Sequence, residues 1–291
     1  MLSNILIATD ASEASDHIID CVKDLRRVGS RKAVLGHVIN VRDAGGLYVS
    51  LKRMTVPKLE DQQRRLAAAG FETTLEIPLG FPDYEINRLA REHQCSLIVV
   101  GSHGESLVKE MLLGSTAHSV LMSARTSVLL IRVEITETAG GTCCRVACSD
   151  FFKHILHPTD FSETAERAFQ HLEHIVRETH CAVTLLHVQD RVKLEPHLIQ
   201  LLPEFNRFDT ERLERMRTRL LSAGASEVDI QVSLGSPTAL ILEQARCDRF
   251  SLILMGTQGR GALWEIVMGS VSHNIARHAP LPVLFVPGPL K

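Results

Sequence analysis

The stretch NILIATDASEAS, Asn4 to Ser15, returns 150 residues later as HILHPTDFSETA, His154 to Ala165, so that Asp10 answers to Asp160. In each, a short apolar run, Ile5–Thr9 or Ile155–Thr159, gives way at once to Asp and then Ser. That order is expected where a buried strand ends and a helix is capped. Working outward, VLGHV ending at Val38 answers to TLLHV ending at Val188. Beyond a five-residue insertion, LGFPDYEINRLA from Leu79 answers to LGSPTALILEQA from Leu234, and SLIVVGSHG to SLILMGTQG, at an offset of 155. A repeat on this scale decides the architecture before any propensity does. The 291 residues also suit two domains better than one.

Each copy alternates strand and helix. Helices are expected over 13–28 and 163–179, and CAVTLLHV reads as a strand. Further strands are expected near Glu72–Ile77, Ser96–Val100 and Val128–Val133, with counterparts at Val228–Ser233, Ser251–Met255 and Val283–Val286. Near-continuous Ile, Leu and Val runs separated by helices indicate parallel strands covered on both faces. The expected fold class is therefore α/β: two tandem doubly wound, Rossmann-like domains, each a five-stranded parallel sheet flanked by helices. Gly140-Gly141 and their polar flanks suit a linker. The expected division is domain one at 1–137, linker at 138–152 and domain two at 153–291.

Behind the fourth strand of each copy stands one spacing of glycines. Gly101-Ser102-His103-Gly104 is followed by nine residues and then Gly114-Ser115; Gly256-Thr257-Gln258-Gly259 is followed by nine and then Gly269-Ser270. Glycines without Cβ let backbone amides approach an anion. A Gly-Ser that opens a helix adds free N–H groups and the positive end of the helix dipole. In a doubly wound sheet ligands sit outside the carboxyl ends of the strands where the winding reverses, so Asp10 with Gly101, and Asp160 with Gly256, are expected to share one crevice per copy.

These motifs make the chain resemble the universal stress protein family, in its ATP-binding, tandem-domain branch and over all but the linker. The resemblance implies an adenine nucleotide α-hydrolase-like fold that takes ATP, or AMP or ADP, with Mg2+ as an accompanying ion. The Asp after the first strand would lie by the adenosine, backbone at the end of the second strand would meet adenine, and the loop with the later Gly-Ser would hold phosphates. Carried over, the second site comprises Pro158, Thr159, Asp160, Val188, Gly256, Gln258, Gly259, Arg260, Gly269, Ser270 and Val271. The first comprises Thr9, Asp10, Val38, Gly101, His103, Gly104, Gly114, Ser115 and Thr116. The copies are not equally close to the pattern: Pro158 and Arg260 fit it, whereas the first copy has Ala8 and Glu105. A carboxylate beside a triphosphate is repulsive and a guanidinium attractive, so tighter binding is expected from the second copy.

Plainer readings stand beside these. Asp10 and Asp160 serve equally well as caps of the helices that follow. His37 and His187, at inner strand ends, read as satisfied, partly buried imidazoles, and His103 as a loop residue without a catalytic task. Cys143, Cys144 and Cys148 lack the C-x-x-C spacing of zinc sites, and seven cysteines without a secretory signal fit reduced thiols. Arg212, Arg215, Arg217 and Arg219 share a helix with Glu211 and Glu214, which suits local pairing on a solvated face.

With 32 basic against 34 acidic residues and no long block of either sign, neither a nucleic-acid groove nor an anionic membrane is indicated as a partner. No apolar stretch is long enough for membrane insertion, and the opening MLSNILIATD lacks a basic n-region and long apolar core, so the expected location is cytoplasmic. Two function classes stay open. One is a nucleotide-dependent regulatory or signalling module in the stress response, working through adenine nucleotide and an unidentified protein partner. The other is a slow Mg2+-dependent ATP hydrolase or adenylate-handling enzyme, although neither a P-loop lysine nor paired carboxylates are present. The apolar last strands, TSVLLIRV and LPVLFVPG, need partners; the resemblance implies an intramolecular pseudo-dimer through them, with room for a homodimer.

Overall fold

A computed structural model of the chain describes residues 2–102, 113–138, 141–146, 150–194, 199–259 and 268–288. They divide into two compact units, Met1–Ser149 and Asp150–Lys291.

The first unit runs β1 (Asn4–Ala8), α1 (Glu13–Cys21) continued by a 3-10 turn (Val22–Val28), β2 (Lys32–Gly36), β3 (Ile39–Asn40), α2 (Val41–Ala44) and α3 (Tyr48–Ala68). It continues with β4 (Glu72–Glu76), β5 (Leu79–Gly80), α4 (Pro82–Glu92), β6 (Leu97–Gly101), α5 (Ser115–Ser123), β7 (Ser127–Ile131), β8 (Val133–Thr138) and β9 (Gly141–Val146). Five parallel strands lie in the order β7-β6-β1-β2-β4. The first strand stands in the middle, so the winding reverses between β1 and β6, where Ile5 is opposite Leu97. The short β3 and β5 pair with each other, and β8 and β9 form an antiparallel hairpin.

The second unit runs β10 (His154–Pro158), α6 (Glu163–Thr179), β11 (Ala182–Asp190), α7 (Arg191–Leu194), a 3-10 turn (Ile199–Leu201), α8 (Leu202–Ser222), β12 (Val228–Gly235), α9 (Pro237–Ala245), β13 (Leu252–Gly256), α10 (Ser270–His278) and β14 (Val283–Val286). Its parallel order, β14-β13-β10-β11-β12, repeats the first, with the reversal between β10 and β13.

The elements follow from their residues. Ile5, Leu6, Leu35, Leu97, Ile98 and Val99 in the first unit, and Ile155, Leu156, Leu185, Ile253 and Leu254 in the second, are 0–1% exposed. Such strands, apolar on both faces, form only where helices cover both sides. Helices α1 and α6 begin at Ser12 and Ser162, whose side chains accept from the amides of Ser15 and Ala165. Such a cap contributes about 1 kcal/mol.

Two expectations are modified. Part of the expected linker, Gly141–Val146, is a strand paired to Val133–Thr138. Cys95, Cys181 and Cys247 form no disulfide, but Cys21 is disulfide-bonded. Cysteine count and spacing carry no information on which side chains the fold brings together.

Candidate functional site

In the second unit the crevice is built around the turn after β10. Pro158 ends the strand, and the Thr159 amide donates to the Leu186 carbonyl at 2.9 Å. Phe161 then takes a left-handed conformation, φ 59°, with its amide on Thr159 Oγ1 at 3.1 Å. This reverses the chain sharply enough for the Ser162 amide to reach Asp160 Oδ1 at 3.0 Å. The capping role of Asp160 is thus a local Asx turn ahead of the cap proper, Ser162. Asp10, Ala11 (φ 61°) and Ser12 repeat the geometry: the Ser12 amide donates to Asp10 Oδ1 at 3.0 Å and the Thr9 amide to the Gly36 carbonyl at 3.0 Å.

The glycine segments reach the same place. The Thr257 amide donates to the Val286 carbonyl at 2.9 Å, and the Gly269 amide to the Thr257 carbonyl at 2.7 Å, closing the loop on itself. A Cβ on Gly259 would lie 2.7 Å from Asp160 Oδ2, and one on Gly269 would lie 3.9 Å from the Gly259 nitrogen. Any side chain at position 259 would therefore fill the space beside the carboxylate. At Gly256 the obstacle includes backbone, since a Cβ there would come 2.8 Å from Thr164 Cγ2 and 3.1 Å from the Thr164 backbone. Helix α10 starts at Gly269 without a side-chain cap. The first amides of a helix have no intrahelical acceptor, and here they belong to Ser270 and Val271. Thr159, Asp160, Gly256, Gln258, Gly259 and Gly269 are thus brought together. Val188 lies in β11 opposite Ser233.

The first unit repeats the frame. The Ser102 amide donates to the Ile131 carbonyl at 2.8 Å and the Gly114 amide to the Ser102 carbonyl at 2.7 Å. Helix α5 likewise starts at an uncapped glycine, Gly114, ahead of Ser115 and Thr116. Gly101 ends β6. Val38 falls between β2 and β3 rather than within a strand. His103, Gly104, Glu105 and Arg260 lie outside the described residues.

The two inner histidines are buried, and each has its Nδ1 on the carbonyl before the site aspartate: His37 on Thr9 at 3.0 Å, His187 on Thr159 at 2.8 Å. They hold the turn from beneath. His187 Nε2 also lies 3.3 Å from Asp209 Oδ2, and Gln189 Nε2 donates to the same oxygen at 2.8 Å.

Residue-type reasoning missed the contribution of the long helices α3 and α8. Leu59 and Leu66 of α3 correspond to Leu213 and Leu220 of α8, all 0% exposed. In that register Lys58 answers to Arg212, and both reach the residue after the site aspartate. Lys58 Nζ approaches the Ala11 carbonyl at 3.4 Å, and the Arg212 guanidinium lies 4.1 Å from the Phe161 ring centre. The expected local pairing on α8 holds for Arg217 with Glu214. Arg219 instead reaches α6, at 3.0 Å from both Glu166 and Glu173. Aligning the long helices on their buried leucines is the signal that finds these residues.

The model of one family, described as the universal stress protein family, matches residues 1–132 and again 151–287. A universal stress protein of Methanocaldococcus jannaschii is 32% identical over 157 residues, covering 47% of this chain and 96% of that protein. The crystal structure of a universal stress protein from Archaeoglobus fulgidus covers 98% of both chains with a TM-score of 0.75 at 24% identity. A universal stress protein solved in complex with cAMP covers 45% of this chain and 97% of its own, at 23% identity and a TM-score of 0.37.

Proposed function

The chain belongs to the universal stress protein family in both halves, and from that premise we propose that it is an adenine-nucleotide-binding stress-response protein whose nucleotide state regulates a protein partner. The observation that carries this reading is the convergence at the second reversal point, where a side chain on Gly259 would collide with Asp160 Oδ2. Bare backbone is kept beside a carboxylate and ahead of the uncapped helix α10. That combination suits a ribose on Asp160 and phosphates on the amides of Gly269, Ser270 and Val271. Arg260 would add charge to the phosphate end. Backbone at Val188 would meet an adenine edge, and Gln258 would border the crevice. Mg2+ enters this reading only with the phosphates. In the first copy Asp10, Val38, Gly101, Gly104, Gly114, Ser115 and Thr116 take the same roles more weakly. Pairing of the two copies through their apolar last strands, and a cytoplasmic location, belong to the proposal on the sequence argument alone.

The test is to denature purified full-length protein and identify what it releases by mass spectrometry. Adenine nucleotide should appear from the wild type and fall sharply in Gly259→Val. Release of none, together with no heat of binding for added ATP or ADP, would overturn the reading.

A further inference from the structure

Beneath the turn that carries Asp160, the second copy stacks side chains from the turn itself, from β11 and from α8. Phe161 takes its left-handed φ of 59°, a conformation that a bulky residue keeps only where its surroundings hold it. Its ring is fixed between the His187 imidazole, with centroids 4.5 Å apart, and the Arg212 guanidinium at 4.1 Å. Asp209 stands three residues before Arg212 in α8, close on the same side of the helix. The helix thus brings a carboxylate as well as a guanidinium to this turn.

His187 is buried, and both of its ring nitrogens face acceptors: Nδ1 lies 2.8 Å from the Thr159 carbonyl and Nε2 3.3 Å from Asp209 Oδ2. A carbonyl and a carboxylate offer no hydrogen, so each nitrogen must bring its own, and the ring that satisfies both is the imidazolium. Gln189 defers to the same carboxylate. Its Nε2 donates to Asp209 Oδ2 at 2.8 Å, while its own buried Oε1 has no partner. The Arg212 cation opposes a charge on the imidazole, but it acts from beyond the Phe161 ring, whereas the carboxylate meets Nε2 directly. We propose that Asp209 is a positioning residue of the second site: by holding His187 as the imidazolium that grips the Thr159 carbonyl, it fixes how Asp160 is presented and so sets the preference for a ribose hydroxyl.

The role in ribose preference rests on the adenine-nucleotide reading; the charge state of His187 does not. A neutral ring has one hydrogen for two acceptors. It either turns a lone pair on the Asp209 carboxylate or lets go of the Thr159 carbonyl, and in both cases the turn loses part of its hold. The first copy is built otherwise. In the register that aligns Leu59 with Leu213, Thr55 stands where Asp209 does, and its hydroxyl donates to the Leu51 carbonyl of its own helix at 3.1 Å. Ile39 and Ala11 stand where Gln189 and Phe161 do.

Nitrogen NMR of the full-length protein, with labelled histidine rings, should show both His187 nitrogens protonated at about pH 7. Asp209→Asn should return that ring to a single protonated nitrogen. By calorimetry the wild type should bind ADP about tenfold more tightly than 2′,3′-dideoxy-ADP at its tighter site. Asp209→Asn should bring this ratio to within about threefold while the dideoxy affinity stays within about twofold of the wild type. A merely structural loss weakens both nucleotides alike. Should Asp209→Asn fail to fold, Asp209→Thr, with the residue that α3 carries there, takes its place. A wild-type His187 with one protonated nitrogen, a ring signal that the substitution leaves unchanged, or an equal loss for the two nucleotides would each overturn the inference. No heat from either nucleotide in the wild type would instead overturn the adenine-nucleotide reading, and the ring spectra would then decide the hold of Asp209 on the turn by themselves.

Discussion

The two copies share a backbone frame and differ in what surrounds it. In the first, His37 and Ile39 still donate to the Glu76 and Pro78 carbonyls, but Pro78 has no amide to return, and the second and third strands each break into two pieces, β2 with β3 and β4 with β5. In the second, Ser233 stands at that position, and β11 and β12 pair without a break from Val183–Val228 to Asp190–Gly235. Proline has no amide to donate and a fixed φ, so one bond of the ladder is lost there. The break falls at Val38, the backbone assigned to the nucleotide base. The aspartates differ as well. Asp10 Oδ1 takes both the Ser12 amide and the Ser15 hydroxyl, and Ser15 Oγ accepts from the Asp10 amide. The second copy has Ala165 in place of Ser15, and Asp160 Oδ2 lies against Gly259. Duplicated glycine spacing therefore comes with unequal surroundings: the strand edge and the aspartate's neighbours differ.

The largest expected difference between the copies is acid sensitivity. His157 of β10 is 0% exposed, with its Nδ1 2.8 Å from the Leu254 carbonyl, and burial lowers its pKa from 6.5 to about 4; its counterpart is Ile7. Between pH 6.5 and 4 the unfolded chain binds a proton that the folded one refuses, so stability is full above 6.5 and falls as pH drops through that window. The loss amounts to about 3 kcal/mol. Urea titrations followed by the fluorescence of Trp264, the chain's single tryptophan and part of the second copy, should show this dependence, and His157→Ile should flatten it. Next in size, Gly256→Ala presses a methyl within 3.1 Å of the Thr164 backbone and 2.8 Å of its Cγ2. It should cost about 1–3 kcal/mol in the same titration. Gly101→Ala should cost less, because Ala14 stands where Thr164 does.

Ser15→Ala makes the first site resemble the second. Removing the hydroxyl from Asp10 should cost about 1 kcal/mol of stability, yet raise the first site's affinity for ADP by calorimetry. Unchanged or weaker binding would show that the broken strand, not the engaged aspartate, sets the first site apart. The smallest effect is expected where the copies agree. Arg65 bridges to Asp16 and Asp20 as Arg219 does to Glu166 and Glu173. With these guanidiniums about a third or more exposed, alanine at either should cost under about 1 kcal/mol in denaturant titrations, and by similar amounts.

The fold was legible because an internal repeat aligns strand with strand and because apolar runs such as LIVV and LILM, short and set between helical segments, fit strands of a covered parallel sheet. The glycine frame was legible for the same reason: chemistry fixed by the backbone leaves its mark as spacing. What was not legible depends on three-dimensional neighbours. The Lys58 and Arg212 contacts need the register of the long helices, which the insertion between copies hides. The disulfide at Cys21 depends on a neighbour in space that cysteine count and spacing do not name. Local charge pattern assigned Arg219 to its own helix, whereas packing carries it to α6.

The central claim, that the two nucleotide sites are unequal and the second the stronger, is met most directly by titrating ADP calorimetrically into the wild type, Gly104→Val and Gly259→Val. The account predicts that Gly259→Val weakens the tighter binding event by about tenfold or more, at least 1.4 kcal/mol, while Gly104→Val leaves it within about threefold, under 1 kcal/mol. Equal losses from the two variants, or a larger loss from Gly104→Val, would contradict it.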